Sequence, residues 1–154
     1  ENFMDLSRGL ARKAQIRESV TVQPKEKLSG VKATLPIKNH LGGYYFFTCD
    51  EVDIDRETVH LIEGKHSRQS LIPSLGDIKD GLAKMILFTN LKEVRIEGKE
   101  YSPLAVLKLT SDVEFSANAL SKSQVEQLRL LKKEAEGNCF QVLVNGESLE
   151  GMNL

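Results

Sequence analysis

The sequence predicts a mixed α/β fold, a central mixed β-sheet flanked by helices. Three observations predict it: a β-rich stretch over 44–65 with hairpin spacing, helices with cap signatures at Ser74 and at Ser121 or Ser123, and short apolar strands between and after those helices. At 154 residues, 40% hydrophobic and 28% charged, the chain fits one domain over 1–154 that can bury a core without covalent staples. It begins at Glu1 rather than Met, so a fragment or a processed product of a longer protein is expected.

Leu6, Leu10, Ala14 and Ile16 recur at near-helical spacing among Arg8, Arg12, Lys13 and Arg17, which predicts an amphipathic first helix. From Val20 to Lys38, Pro24, Gly30 and Pro36 break the pattern, and loops or short edge strands are expected. Tyr44 to Cys49, Val52 and Ile54, then Thr58 to Ile62, are rich in β-branched and aromatic residues and separated by Asp55-Arg56-Glu57. That is a hairpin. Ser74 opens a helix with Asp77 as its capping partner, with Ile78, Leu82, Met85 and Ile86 on one face and Asp77, Asp80 and Lys84 on the other. Strands follow at Val94 to Ile96 and Leu104 to Leu109, joined through Gly98. A last helix runs from Ser121 or Ser123 to Gly137 with Val125, Leu128, Leu131 and Ala135 as its apolar stripe, and Phe140 to Val144 closes as a strand.

Composition narrows function. A net charge of −1 and pI near 6.4 disfavour a histone-like or ribosomal role. The charge is uneven, however: residues 1–40 hold eight Lys/Arg against four Asp/Glu, a net of +4, and the rest of the chain carries −5. Cys49 and Cys139 stand 90 positions apart without a CxxC partner, which suggests neither a zinc cluster nor a disulfide framework and fits a reducing compartment. No apolar run approaches the roughly 18–20 residues of a membrane span. An intracellular, cytoplasmic protein without a membrane role is expected.

The chemistry should lie at the hairpin. Asp50, Glu51, Asp53, Asp55 and Glu57 put five carboxylates in eight residues, and such repulsion needs either a wet turn or a cation. A two-residue loop at Arg56-Glu57 sets Asp50 opposite Glu63 and Thr48 opposite Lys65. Glu63 and Lys65, two apart on a strand, then share a face that Val52, Ile54, Val59 and Leu61 continue. An odd loop or a bulge would bring Asp53 in as the partner instead. Two facing carboxylates can hold magnesium through oxygen ligands, and a neighbouring ammonium can position water or stabilise charge on a phosphorus centre.

These residues resemble the PD-(D/E)xK nuclease superfamily, which includes type II restriction endonucleases, Holliday junction resolvases and repair nucleases. The resemblance rests on Asp50, the spacing of 13 to Glu63, and the triplet Glu63-Gly64-Lys65 at the end of a hairpin followed by a helix. Cys49 stands where the name-giving proline would be. The resemblance implies a restriction-endonuclease-like core, a divalent metal such as magnesium on Asp50 and Glu63, or on Asp53, and Lys65 orienting the attacking water. It further implies double-stranded DNA as substrate, a homodimer where the target is palindromic, and a prokaryotic source. Glu18, at the end of the first helix, is the candidate for an additional helical acid, against its reading as an ordinary surface glutamate. His66, Arg68, Lys79 and Lys84 are candidates for nucleic-acid contacts through phosphates, and Lys38, Asn39 and His40 form a polar loop within reach of a groove.

Other motifs fail. A calcium loop starting at Asp53 would need glycine at Thr58 and a bidentate acid at Gly64. No phosphate-binding glycine loop is present, and His40, His60 and His66 make no HExxH. The expected activity is a magnesium-dependent endonuclease acting on DNA, most simply a type II restriction endonuclease core. The alternatives are a repair or recombination nuclease of the same fold and a non-catalytic interaction module whose acidic hairpin is merely solvated.

Overall fold

The computed structural model describes residues 31–154. The expected first helix and Glu18 lie outside the described residues. Seven strands and two long helices alternate in the remainder: β1 (Val31–Lys38), β2 (Tyr44–Asp55), β3 (Thr58–Ser67), α1 (Leu75–Thr89), β4 (Val94–Ile96), β5 (Lys99–Ser111), α2 (Lys122–Asn138), β6 (Gln141–Val144) and β7 (Glu147–Ser148). One sheet runs in the order β1-β2-β3-β5-β6-β7, with β4 attached to β5. It is mixed: β3, β5 and β6 are parallel and the outer pairs antiparallel.

Parallel neighbours need crossovers, and α1 and α2 supply them. Both crossovers step the same way across the sheet, so right-handed connections lay both helices on one face. Register identifies that face. Leu61, Glu63 and Lys65 lie beside Ala105, Leu107 and Leu109, and the last two lie beside Val142 and Val144. Every one of these except Lys65 is buried. Burying a side chain such as Leu107 or Leu109 is worth about 1.5–3 kcal/mol, which fixes this register over any one-residue slip.

Several elements depart from expectation. Of the loops or short edge strands expected there, β1 is an edge strand, longer than expected at eight residues because at the sheet edge the missing N–H of Pro36 costs nothing. On α1 the buried stripe is Ile78, Gly81, Met85 and Phe88, whereas Ile86 is exposed and Leu82 half-buried. Gly81 explains the rotation. A Cβ there would stand 2.6 Å from Leu107 Cδ1 and 3.6 Å from Lys65 Cε, so the helix seats directly on β3 and β5 at this point. Strand β5 starts five residues earlier than expected, since its first residues pair with β4. Two cap expectations match: Ser74 Oγ accepts from Asp77 N, and Ser121 forms a full capping box with Gln124.

Candidate functional site

The Arg56-Glu57 turn has the expected two residues. Glu51 pairs with Ile62, Val52 with Leu61, Asp53 with His60, Ile54 with Val59 and Asp55 with Thr58. Asp53 therefore stands on the opposite face from Val59 and Leu61, and from Glu63 two residues further on. Its carboxylate lies 4.0 Å from the ring of His60. The even-loop register thus leaves Asp53 away from Glu63 and Lys65.

The β2–β3 ladder ends at Glu51–Ile62. Beyond it β3 continues against β5, and β2 continues against β1 alone. The two strands fork. A bulge marks the same point: Val31 pairs with Val52 but Ala33 with Cys49, so β2 carries one extra residue at Asp50-Glu51. A fork frees backbone groups that a continued ladder would have used, and each must find another partner. Asp50 Oδ2 accepts the N–H of Gly64 at 3.0 Å. Lys84, reaching down from α1, donates to the carbonyl of Thr48 and lies 3.5 Å from its hydroxyl.

Glu63 sits inside this fork, 6% exposed and the sole buried charged residue among those described. A carboxylate so buried has to be paired. Lys65 Nζ donates to Oε1 at 3.0 Å, and Lys84 Nζ stands 4.0 Å from Oε2. The fork therefore gathers Asp50 on the backbone of Gly64, and Glu63 between two ammonium groups. Sequence patterning puts Lys84 on the solvent face of its helix. It lies instead one turn beyond Gly81, on the flank that faces the sheet, and the glycine was the available signal.

Cys49, fully buried beside this site, donates its thiol to the carbonyls of Glu51 at 3.0 Å and Ile62 at 3.4 Å. Burial pushes the thiol up to about 11, and the charges of Asp50 and Glu63 act in the same direction. Both carboxylates are thus near enough to be felt at one sulfur.

The remaining candidates are dispersed. His66 is held by Thr110 at 2.9 Å and by Asp112 at 3.2 Å, so its ring is already engaged at the rim. Arg68 and Lys79 are exposed. On the sheet face opposite Glu63, Lys108 pairs with Glu51 at 2.9 Å, an ion pair that sequence patterning does not single out.

Among the described residues no group of three or more His, Cys, Asp and Glu gathers as a metal cluster. Magnesium asks for less: one or two carboxylates, with water and phosphate oxygens completing the octahedron. Asp50 and Glu63 are hard oxygen donors of the kind that ion takes, and Lys65 and Lys84 balance the buried charge of Glu63 as the fork stands. No helix among the described residues is long and apolar enough to cross a membrane. Compared with known proteins, the chain matches no family model, no curated protein and no solved structure.

Proposed function

We propose that the chain is a metal-dependent endonuclease that hydrolyses phosphodiester bonds of double-stranded DNA, with a restriction-endonuclease-like core. One observation carries this reading: Asp50 Oδ2 holds the backbone of Gly64, the residue between Glu63 and Lys65, while Lys65 Nζ touches Glu63 at 3.0 Å. One acid thus holds the backbone of the residue between a second acid and its ammonium partner, at a strand fork where a bulge opens β2.

In this reading Asp50 and Glu63 supply the carboxylate oxygens for magnesium, which when bound polarises the scissile phosphate and lowers the pKa of coordinated water. Lys65 leaves Glu63 to hold the attacking water. Water oxygen bonds to phosphorus as the ester P–O bond opposite breaks, the leaving oxygen takes up a proton, and the proton lost by water passes to solvent. Gly64 N–H fixes the rotamer of Asp50. Lys84 keeps α1 docked on Thr48 and holds the second oxygen of Glu63. A palindromic target would be cut by two copies, one per strand.

The test is cleavage of plasmid DNA by the full chain with magnesium or with EDTA, beside Glu63→Ala and Lys65→Ala proteins shown by circular dichroism to be folded. Magnesium-dependent cleavage that both substitutions abolish is expected. Full cleavage by folded Glu63→Ala protein, or none by the parent with any divalent metal, would overturn the reading.

A further inference from the structure

Past the fork, β2 leaves the sheet with β1 as its sole partner among the described residues, and the two make a ribbon closed by the turn at Asn39–Gly43. Asn39 shapes that turn: its side-chain oxygen accepts the N–H of Leu41 at 2.9 Å and of Gly43 at 3.3 Å. Ladder register puts Leu35, Ile37, Tyr45 and Phe47 on one face and Pro36, Lys38, Tyr44 and Phe46 on the other. Neither face is covered by the described residues at the far end. Leu41 is 88% exposed, Tyr45 55%, Tyr44 43% and Phe46 40%. These are four of the eight large exposed hydrophobics among the described residues, and no other segment gathers more than two.

Charge singles out the same segment. From Val31 to Thr48 the sequence contains Lys32, Lys38 and His40 and no Asp or Glu. Five carboxylates follow within the next nine residues. An acid-free arm with exposed aromatics on both faces, rising from an acidic fork, suits a polyanion with an apolar interior edge. The major groove of B-form DNA has those properties, and at about 12 Å wide it admits a two-stranded β-ribbon, whereas the minor groove at about 6 Å would first have to be widened. Scale agrees: seven residues from Asp50 to the turn span roughly 23 Å at about 3.3 Å each, less than one helical turn of about 34 Å. A ribbon seated in the groove can therefore leave its base at a backbone phosphate.

We propose that the β1–β2 ribbon is a DNA-docking arm that enters the major groove beside the phosphate addressed at the fork, with the face of Tyr44 and Phe46 against base edges and Lys38, on that same face, reaching the backbone. This deepens the endonuclease reading and rests on it. The aromatic rings offer apolar contact to thymine methyls, and the lysine contributes sequence-independent attraction.

The test is fluorescence anisotropy of the full chain on a labelled mixed-sequence duplex in calcium, with magnesium cleavage and sedimentation measured on the same proteins. Tyr44→Ser, Phe46→Ser and Lys38→Gln are compared with Ile86→Ser, which removes an exposed hydrophobic on α1. Each aromatic substitution is expected to weaken binding about ten-fold, Lys38→Gln to lower the salt slope by about one, and Ile86→Ser to do neither. Unchanged duplex affinity in the ribbon variants of a parent that binds and cleaves would overturn the arm and leave the endonuclease reading standing. A parent that neither binds nor cleaves would overturn both. Ribbon variants that turn a dimer into monomers with duplex affinity intact would assign the surface to a second copy of the chain and overturn the arm.

Discussion

The two halves of β2 make opposite use of the same backbone. From Glu51 to Asp55 the strand is laddered to β3 residue by residue, β1 reaches it at Val52, and Val52 packs into the core. From Tyr44 to Asp50 it has β1 alone, and most of its side chains meet solvent. The boundary falls on the bulge at Asp50-Glu51. There the ladder stops, and the groups it releases are taken by side chains: Gly64 N–H by Asp50, and the Thr48 carbonyl by Lys84. Chemistry gathers at the point where hydrogen bonding passes from backbone to side chain. A regular ladder has no room there for a functional carboxylate.

Stability should divide along the same boundary. Leu107→Ala opens a cavity beneath Gly81 and beside Glu63, and a loss of about 2–5 kcal/mol is expected by urea unfolding. Tyr45→Ser, on the ribbon, should stay within about 0.5 kcal/mol of the parent. Comparable losses at both positions would erase the distinction between the halves.

The shared burden at Glu63 predicts coupling. With either Lys65→Met or Lys84→Met alone, one ammonium remains beside the buried carboxylate. With both replaced, none of the pairs observed at Glu63 survives. A double-mutant cycle should give a coupling of about 0.5–3 kcal/mol, the double variant being less stable than the two singles sum to. Additive losses would mean that Lys84 does not share the charge.

A smaller effect is expected at the helix–sheet contact. Gly81→Ala gains about 1 kcal/mol of helix propensity, but its Cβ would stand 2.6 Å from a methyl of fully buried Leu107. Overpacking of about 1–3 kcal/mol should win, leaving a net loss near 1 kcal/mol in thermal unfolding. A more stable protein would show that Leu107 moves freely. The finest test is chemical. With its thiol raised from an ordinary 9.0 to about 11, Cys49 should resist iodoacetamide at pH 8 in the folded chain, while exposed Cys139 is alkylated. The sign is that of a raised pKa: Cys49 contributes stability below about pH 9 that is lost as pH rises towards 11. Mass spectrometry finding equal labelling would contradict the packed fork.

Much of this was legible in the sequence where the signal is local. The caps at Ser74 and Ser121, the Arg56-Glu57 turn and the register it sets all follow from short-range chemistry. With two residues in the loop, strand parity alone separates Asp50 from Asp53. What escaped depends on partners far along the chain. Lys84 reads as a surface residue until Gly81 brings α1 down onto Leu107, and the choice between loop and edge strand at 31–38 stays open until the sheet gives Pro36 an edge position. The bulge has no local signature, since Asp50 and Glu51 are two acids in a run of acids. Asn145-Gly146 is an exception: both residues have positive φ, at 49° and 89°, and turn β6 into β7, a dipeptide signal that was there to be read.

The most direct measurement compares Asp50→Asn and Asp53→Asn in magnesium-dependent DNA cleavage. In the Asp50→Asn protein the side-chain amide oxygen can still accept from Gly64 N–H, so the fork should keep its shape and lose a charged metal donor. Single-turnover rates should fall by about 10³-fold or more for Asp50→Asn and stay at the parent value for Asp53→Asn. Parent-like cleavage by Asp50→Asn, or loss confined to Asp53→Asn, would contradict a catalytic centre at the strand fork.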